Sequence, residues 1–175
     1  MIVLVHAHPY PARSRASAAL LAAVRDLPNV DVRSLYALYP DFDIDAAAER
    51  GAIGRATALV LMHPLYWYTT PALLKHWFDV VLTKGFAYGE GGTALHGKTC
   101  LWAVTTGGDM HAFSDAGRHH HEFEAFTPVV EQTMRYCGMT WAEPFVVHGA
   151  HQIPDEELAE AARRFRKRVQ ALEAT

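Results

Sequence analysis

Apolar residues along this chain alternate between two kinds of pattern. Ile2-Val3-Leu4-Val5, Ala58-Leu59-Val60-Leu61-Met62 and Cys100-Leu101-Trp102-Ala103-Val104 are unbroken runs, as expected of strands buried on both faces of a parallel sheet. Between them apolar positions recur at helical spacing, as Leu20, Leu21, Val24 and Leu27 after Ser14, and as Leu73, Leu74, Trp77, Val80 and Val81 after Thr70-Pro71. Ser14 and Thr70 are read as helix caps, because a hydroxyl can satisfy a first-turn amide and proline needs no amide partner there. Val30 to Leu35 alternates as a further strand, and a polar connection from Pro40 to Arg55 holds a short alanine-rich helix. After the third unbroken run, a helix is expected from about Glu122 to Tyr136, a last strand over Pro144 to His148 and a last helix over Pro154 to Glu173.

Strands alternating with helices predict parallel pairing with right-handed crossovers. Five strands fit the order 2-1-3-4-5, whose switch point lies between strands 1 and 3. The segments after strands 1, 3 and 4 are the unusual ones, and this topology brings all three to one sheet edge. Pro64-Leu65-Tyr66-Trp67-Tyr68 puts three aromatics on a turn, where a core-building sequence would place them inside a strand or helix. The first loop offers His8, then Ser14 and Ser17 in the opening turn of a helix with Arg13 and Arg15 beside them. That is either an anion site built on free amides or a plain helix cap facing water. Thr105-Thr106-Gly107-Gly108 lets backbone approach a ligand, or is an ordinary turn.

At 175 residues the chain is read as one domain, residues 1–175. Its formal charge of -3 and lack of a basic block argue against a nucleic-acid partner. Cys100 and Cys137 lie in apolar contexts without CxxC spacing, and read as buried thiols of a reducing compartment. With no transmembrane-length apolar run and no charged n-region, a cytoplasmic location is expected.

Several motifs lead nowhere. Gly92 to Thr99 matches G-x-x-x-x-G-K-S/T, but a P-loop must follow a strand and open a helix, whereas here a strand follows. The 11 histidines include the run His119-His120-His121, yet neighbours in a run cannot all reach one ion and no H-E-x-x-H occurs. No metal is expected. A G-x-S-x-G nucleophile elbow and the G-x-G-x-x-G dinucleotide fingerprint are both missing.

Longer matches cover nearly the whole chain: Ala7-His8-Pro9-Tyr10-Pro11, Arg33-Ser34-Leu35-Tyr36, Leu38-Tyr39-Pro40-Asp41-Phe42, His63-Pro64 with Trp67-Tyr68, Leu73-Leu74-Lys75, Ala87-Tyr88-Gly89, Gly91 to Lys98, Leu101 to Gly108, and Tyr136-Cys137-Gly138. On these the sequence resembles the flavodoxin-like NAD(P)H:quinone oxidoreductases, and within them the KefF-type ancillary flavoproteins of glutathione-gated potassium efflux systems. The resemblance implies a flavodoxin-like three-layer sandwich that binds FMN. It assigns the phosphate to His8, Ser14, Arg15, Ala16 and Ser17, and the isoalloxazine to Leu65, Tyr66, Trp67, Tyr68, Thr105, Thr106, Gly107 and Gly108. It further implies ping-pong hydride transfer from NADH or NADPH to a quinone, with amides around Thr106, Gly107 and Gly108 stabilising the charge that arrives on the ring.

Two positions depart from the pattern. Where related reductases use a tyrosine and a histidine to move charge or protons, this chain has Phe113 and His119, and phenylalanine carries no hydroxyl. His119 is either a lone catalytic group lining the substrate pocket with Phe113 or one of three solvent histidines. Tyr66 stands where many relatives have glutamine. The resemblance also implies a homodimer, for which Trp77, Phe78 and Phe86 are either contributors or plain core. It implies in addition a membrane potassium efflux channel as partner, which would hold the protein at the cytoplasmic face of the membrane. Two other functions compete with the reductase: a regulatory channel-binding module without turnover, and a one-electron flavodoxin carrier, which would be more acidic.

Overall fold

The computed structural model describes residues 1–173. Its sheet is wholly parallel, in the order β2-β1-β3-β4-β5, where β1 is Ile2–His6, β2 Val30–Ser34, β3 Ala58–Pro64, β4 Thr99–Thr105 and β5 Thr140–Trp141; a sixth strand, β6 (Phe145–Val147), also pairs with β4. β6 is the expected last strand, and β5 is a further two-residue strand before it that the sequence pattern does not predict. Cys100 pairs with Trp141 and Ala103 with Phe145, so three residues, Ala142 to Pro144, oppose the two residues Leu101 and Trp102. Pro144 has no amide to give β4, which accounts for the break.

The strands alternate between two cores. Val3, Val5, Leu59, Leu61, Trp102 and Val104 pack toward α4 (Ala72–Val81), while Ile2, Leu4, Val60, Met62, Leu101 and Ala103 pack toward α1 (Arg15–Val24) and α6 (Asp155–Ala171). A period of two on strands buried from both sides gives this division and a three-layer sandwich. The remaining helices are α2 (Leu35–Leu38), α3 (Ala46–Arg55) and α5 (Pro128–Tyr136). The helix expected from about Glu122 is instead a 3-10 turn at Phe123–Phe126 followed by α5.

Helix starts divide the two cap expectations. Ser14 caps α1, its hydroxyl accepting from the Ser17 amide at 3.1 Å. Thr70 caps nothing: Pro71 is the N-cap of α4, and its carbonyl accepts from the Leu74 and Lys75 amides. Trp77 is core, fully buried, with its indole N–H donating to Glu49 at 2.9 Å, and Phe78 is buried beside it. Cys100 and Cys137 are buried free thiols, and burial pushes both upward in pKa. Among the described residues no helix is long and apolar enough to cross a membrane.

The G-x-x-x-x-G-K-T match has a structural use. Lys98 donates to the carbonyls of Gly54 and Ala56 at the end of α3, which fits a cation to the negative end of a helix. A Cβ on Gly92 would lie 2.0 Å from the Tyr88 carbonyl oxygen. Close backbone packing, rather than a phosphate, requires that glycine.

Candidate functional site

The carboxyl ends of β1, β3 and β4 open on one edge, with β1 the strand on which the chain reverses its direction across the sheet. A cleft of about 310 Å³ there is lined by His8, Tyr10, Arg13, Ser14, Arg15, Ala16, Tyr66 and His151. It shares Leu65, Thr106 and Gly107 with a second of about 230 Å³, lined by Trp67, Tyr68, Gly108, Phe113 and His119. The two form one trough from the start of α1 to His119.

An anion cradle occupies the first end. The Ser17 and Ala18 amides are satisfied by Ser14, whereas those of Arg15 and Ala16 have no backbone or side-chain acceptor among the described residues. The Ser17 hydroxyl is buried with no partner there. His8 accepts the Tyr10 amide on Nδ1 at 3.0 Å, so the neutral ring carries its proton on Nε2 as a donor. Burial, then the charge of His151, lowers the His8 pKa. The Arg15 guanidinium, expected to face an anion, is held instead by the Ile153 carbonyl and by Asp155 at 3.0 Å. Arg13 lies over the Tyr10 ring at 5.7 Å.

The aromatic turn is a two-residue hairpin. Tyr66 and Thr69 exchange both amide bonds at 3.0 Å, and Trp67 and Tyr68 between them have φ of 48° and 62°. Both central residues of such a turn must take positive φ, the geometry that asparagine and glycine usually supply. Bulky side chains there cost about 1–3 kcal/mol each, strain that collects at functional sites. The turn leaves the Trp67 and Tyr68 amides without a protein acceptor among the described residues, and Trp67 is 90% exposed.

The glycine turn is braced from behind. Thr106 donates its hydroxyl to the Gly108 carbonyl at 2.7 Å and so accepts from His148 Nδ1 at 3.0 Å. The Thr106 amide donates to Val147 at 2.9 Å and is therefore not free to stabilise a ligand, contrary to the sequence expectation. The Gly107 and Gly108 amides are the ones left open among the described residues. A Cβ on Gly108 would sit 2.9 Å from His119 Nε2, so glycine makes room for that ring. His119 packs against Phe113 at 4.3 Å between centroids, and its Nδ1 lies 3.3 Å from the Tyr68 hydroxyl.

A family model described as "Flavodoxin-like fold" matches residues 1–169. The chain belongs to that family. A flavodoxin-like relative, the glutathione-regulated potassium-efflux system ancillary protein KefF of Salmonella arizonae, is 48% identical over 171 residues, 98% of this chain and 96% of the relative. General stress protein 14 from Treponema denticola, solved in complex with FMN, is 33% identical with a TM-score of 0.91, covering 98% of each chain. The NADPH-quinone reductase of P. pentosaceus is 26% identical with a TM-score of 0.87, covering 96% of each chain.

The flavodoxin-like edge includes residues that sequence reasoning missed. His148 and His151 follow β6, whose carboxyl end opens on the same side as those of β1, β3 and β4. Extending the edge argument to the last strand would have found both. In the sequence His63 is only part of a motif, yet it is buried under this edge, bonded to Trp102 and to the Pro64 carbonyl.

Proposed function

We propose that the whole chain is one FMN-binding domain and an NAD(P)H:quinone oxidoreductase, the reading carried by a trough with an anion cradle at one end and open amides beside aromatic walls at the other. The group fits the residues present. The unpartnered Ser17 hydroxyl, the His8 Nε2–H and the Arg15 and Ala16 amides suit a phosphate. A phosphate near His8 and His151 would offset the mutual repulsion of the two rings. The amides of Trp67, Tyr68, Gly107 and Gly108 suit the polar rim of a flat ring. Among solved relatives, general stress protein 14 holds FMN in this fold.

When bound, FMN would supply the two-electron redox chemistry between NADH or NADPH and a quinone. The protein's part is orientation and charge. Gly107 and Gly108 would offer the ring preorganised amides, able to stabilise negative charge without solvent having to reorganise. Phe113, Trp67 and Leu65 present apolar walls on which nicotinamide and quinone, both flat, can take turns. His119 supplies a hydrogen-bond donor at the acceptor's oxygen.

The name of the KefF relative supports a role beside a potassium-efflux system, and we propose in addition that this protein acts there from the cytoplasmic face of the membrane and as a homodimer. Purified protein is expected to show a flavin spectrum that bleaches anaerobically with NADPH and returns on adding quinone. A colourless protein that neither takes up FMN nor oxidises NADPH would overturn the enzyme and leave a channel-binding module.

A further inference from the structure

We propose that Tyr68 is the positioning residue of His119: its hydroxyl donates to Nδ1 and so fixes the imidazole proton on Nε2, above Gly108 in the trough. The role rests on the reductase reading for its purpose but not for its test. Oxygen and nitrogen lie 3.3 Å apart, and either could donate. A neutral imidazole nitrogen is a far stronger acceptor than a phenol oxygen, and a phenol is the more acidic donor, so the proton lies on oxygen and points to nitrogen. That leaves Nε2 protonated. Nε2 is also the nitrogen beside Gly108, whose missing side chain opens the space it occupies.

The surroundings hold the pair in place. The Tyr68 ring stacks on Phe126 at 5.0 Å and 25° and meets His119 edge-on at 5.5 Å and 82°. Phe113 lies against His119 from another side and offers no competing hydroxyl. The His119 amide donates to the Ala112 carbonyl, which fixes the backbone from which the ring projects. Tyr68 reaches this position only through the positive φ of the aromatic turn. A strained backbone at a bulky residue with an oriented polar contact is what a positioning role requires. With Nε2 protonated, His119 can donate to an acceptor oxygen as charge builds there; with the other tautomer it would present a lone pair and repel it.

Histidine nitrogen NMR on the full-length protein reads the tautomer directly, with or without flavin. His119 is expected to be protonated on Nε2, as is His8, whose Nδ1 accepts the Tyr10 amide, while His63 is expected to be protonated on Nδ1. In Tyr68→Phe the His119 signals should move toward an average of both tautomers, with His8 and His63 unchanged as internal references. Wild-type His119 protonated on Nδ1, or a Tyr68→Phe protein with His119 unaltered, would overturn the proposal. Reoxidation of the flavin-loaded variant by quinone should fall about tenfold, the cost of one misdirected hydrogen bond. The two readings can fail separately: failure of both wild type and variant to take up FMN would count against the reductase and leave the tautomer measurement standing.

Discussion

Trp102 donates its indole N–H to His63 Nε2 at 2.7 Å, and His63 in turn donates from Nδ1 to the Pro64 carbonyl at 2.9 Å. Both nitrogens are thereby committed in a side chain with no solvent exposure. A proton on Nε2 would break the Trp102 bond and bury a charge, so burial drives the His63 pKa down to about 4 from 6.5. His6, also buried and with Nε2 unpartnered among the described residues, falls to about 4 for the same first cause.

Both histidines therefore make stability depend on pH. Each is neutral in the fold and protonates more readily once unfolded, so the unfolded state binds more protons between pH 6.5 and about 4. Their contribution is fully present above pH 6.5 and is lost as pH falls through that window. The unfolding free energy from urea titrations should drop steadily from pH 7 to pH 4.5, by up to about 3 kcal/mol per histidine. In His63→Gln the slope should be visibly shallower; an unchanged slope would show that His63 titrates alike in both states.

Glu49 anchors the helices packed on the Trp102 face of the sheet. Its Oε1 accepts from Arg33 Nε at 2.8 Å and from Tyr39 at 2.7 Å, and its Oε2 accepts from Trp77 at 2.9 Å, all around a carboxylate with no solvent exposure. Burial first, then Glu49, raises the Tyr39 pKa to about 12. Glu49→Gln would leave the largely buried Arg33 with only the half-exposed Asp31 at 3.6 Å as counter-charge, at a cost of about 3 kcal/mol. Denaturant unfolding should register that loss while FMN uptake at saturating ligand persists, since the network does not line the trough.

The aromatic turn should trade stability for function. Trp67 buries almost nothing in this chain yet holds a φ of 48°. Trp67→Gly should raise unfolding stability by about 1 kcal/mol, because glycine takes positive φ without strain. The same variant loses the apolar wall, and its quinone reduction should drop. A variant that is less stable than wild type would show that Trp67 is supported by contacts the isolated chain does not make.

Much of this was legible because strands buried on both faces have few alternatives. Ile2 to Val5 and Ala58 to Met62 could pack only inside a parallel sheet, and the order of the sheet then brought His8, Trp67 and Gly108 to one edge. Other features were not legible because they depend on where backbone groups end up. That the Thr106 amide is spent on Val147, that Arg15 turns to Asp155, and that Tyr68 meets His119 follow from pairings between segments far apart in sequence. The start of β6 is marked by Pro144, whose missing amide is a local fact, but β5 and the extra residue opposite Leu101 and Trp102 were not legible.

The anion cradle makes a last prediction that separates its parts. Riboflavin differs from FMN only by the phosphate, so it can use the ring end of the trough but not the Ser17 hydroxyl, the His8 Nε2–H or the amides of Arg15 and Ala16. Hydrogen bonds to a charged group contribute about 1.5–3 kcal/mol each, so FMN should bind at least about a hundredfold more tightly than riboflavin. His8→Ala and Ser17→Ala should each weaken FMN about tenfold, measured by quenching of flavin fluorescence, and leave riboflavin within twofold. Equal losses for both flavins would place these side chains against the ring instead, and the phosphate would have to be sought at Arg13.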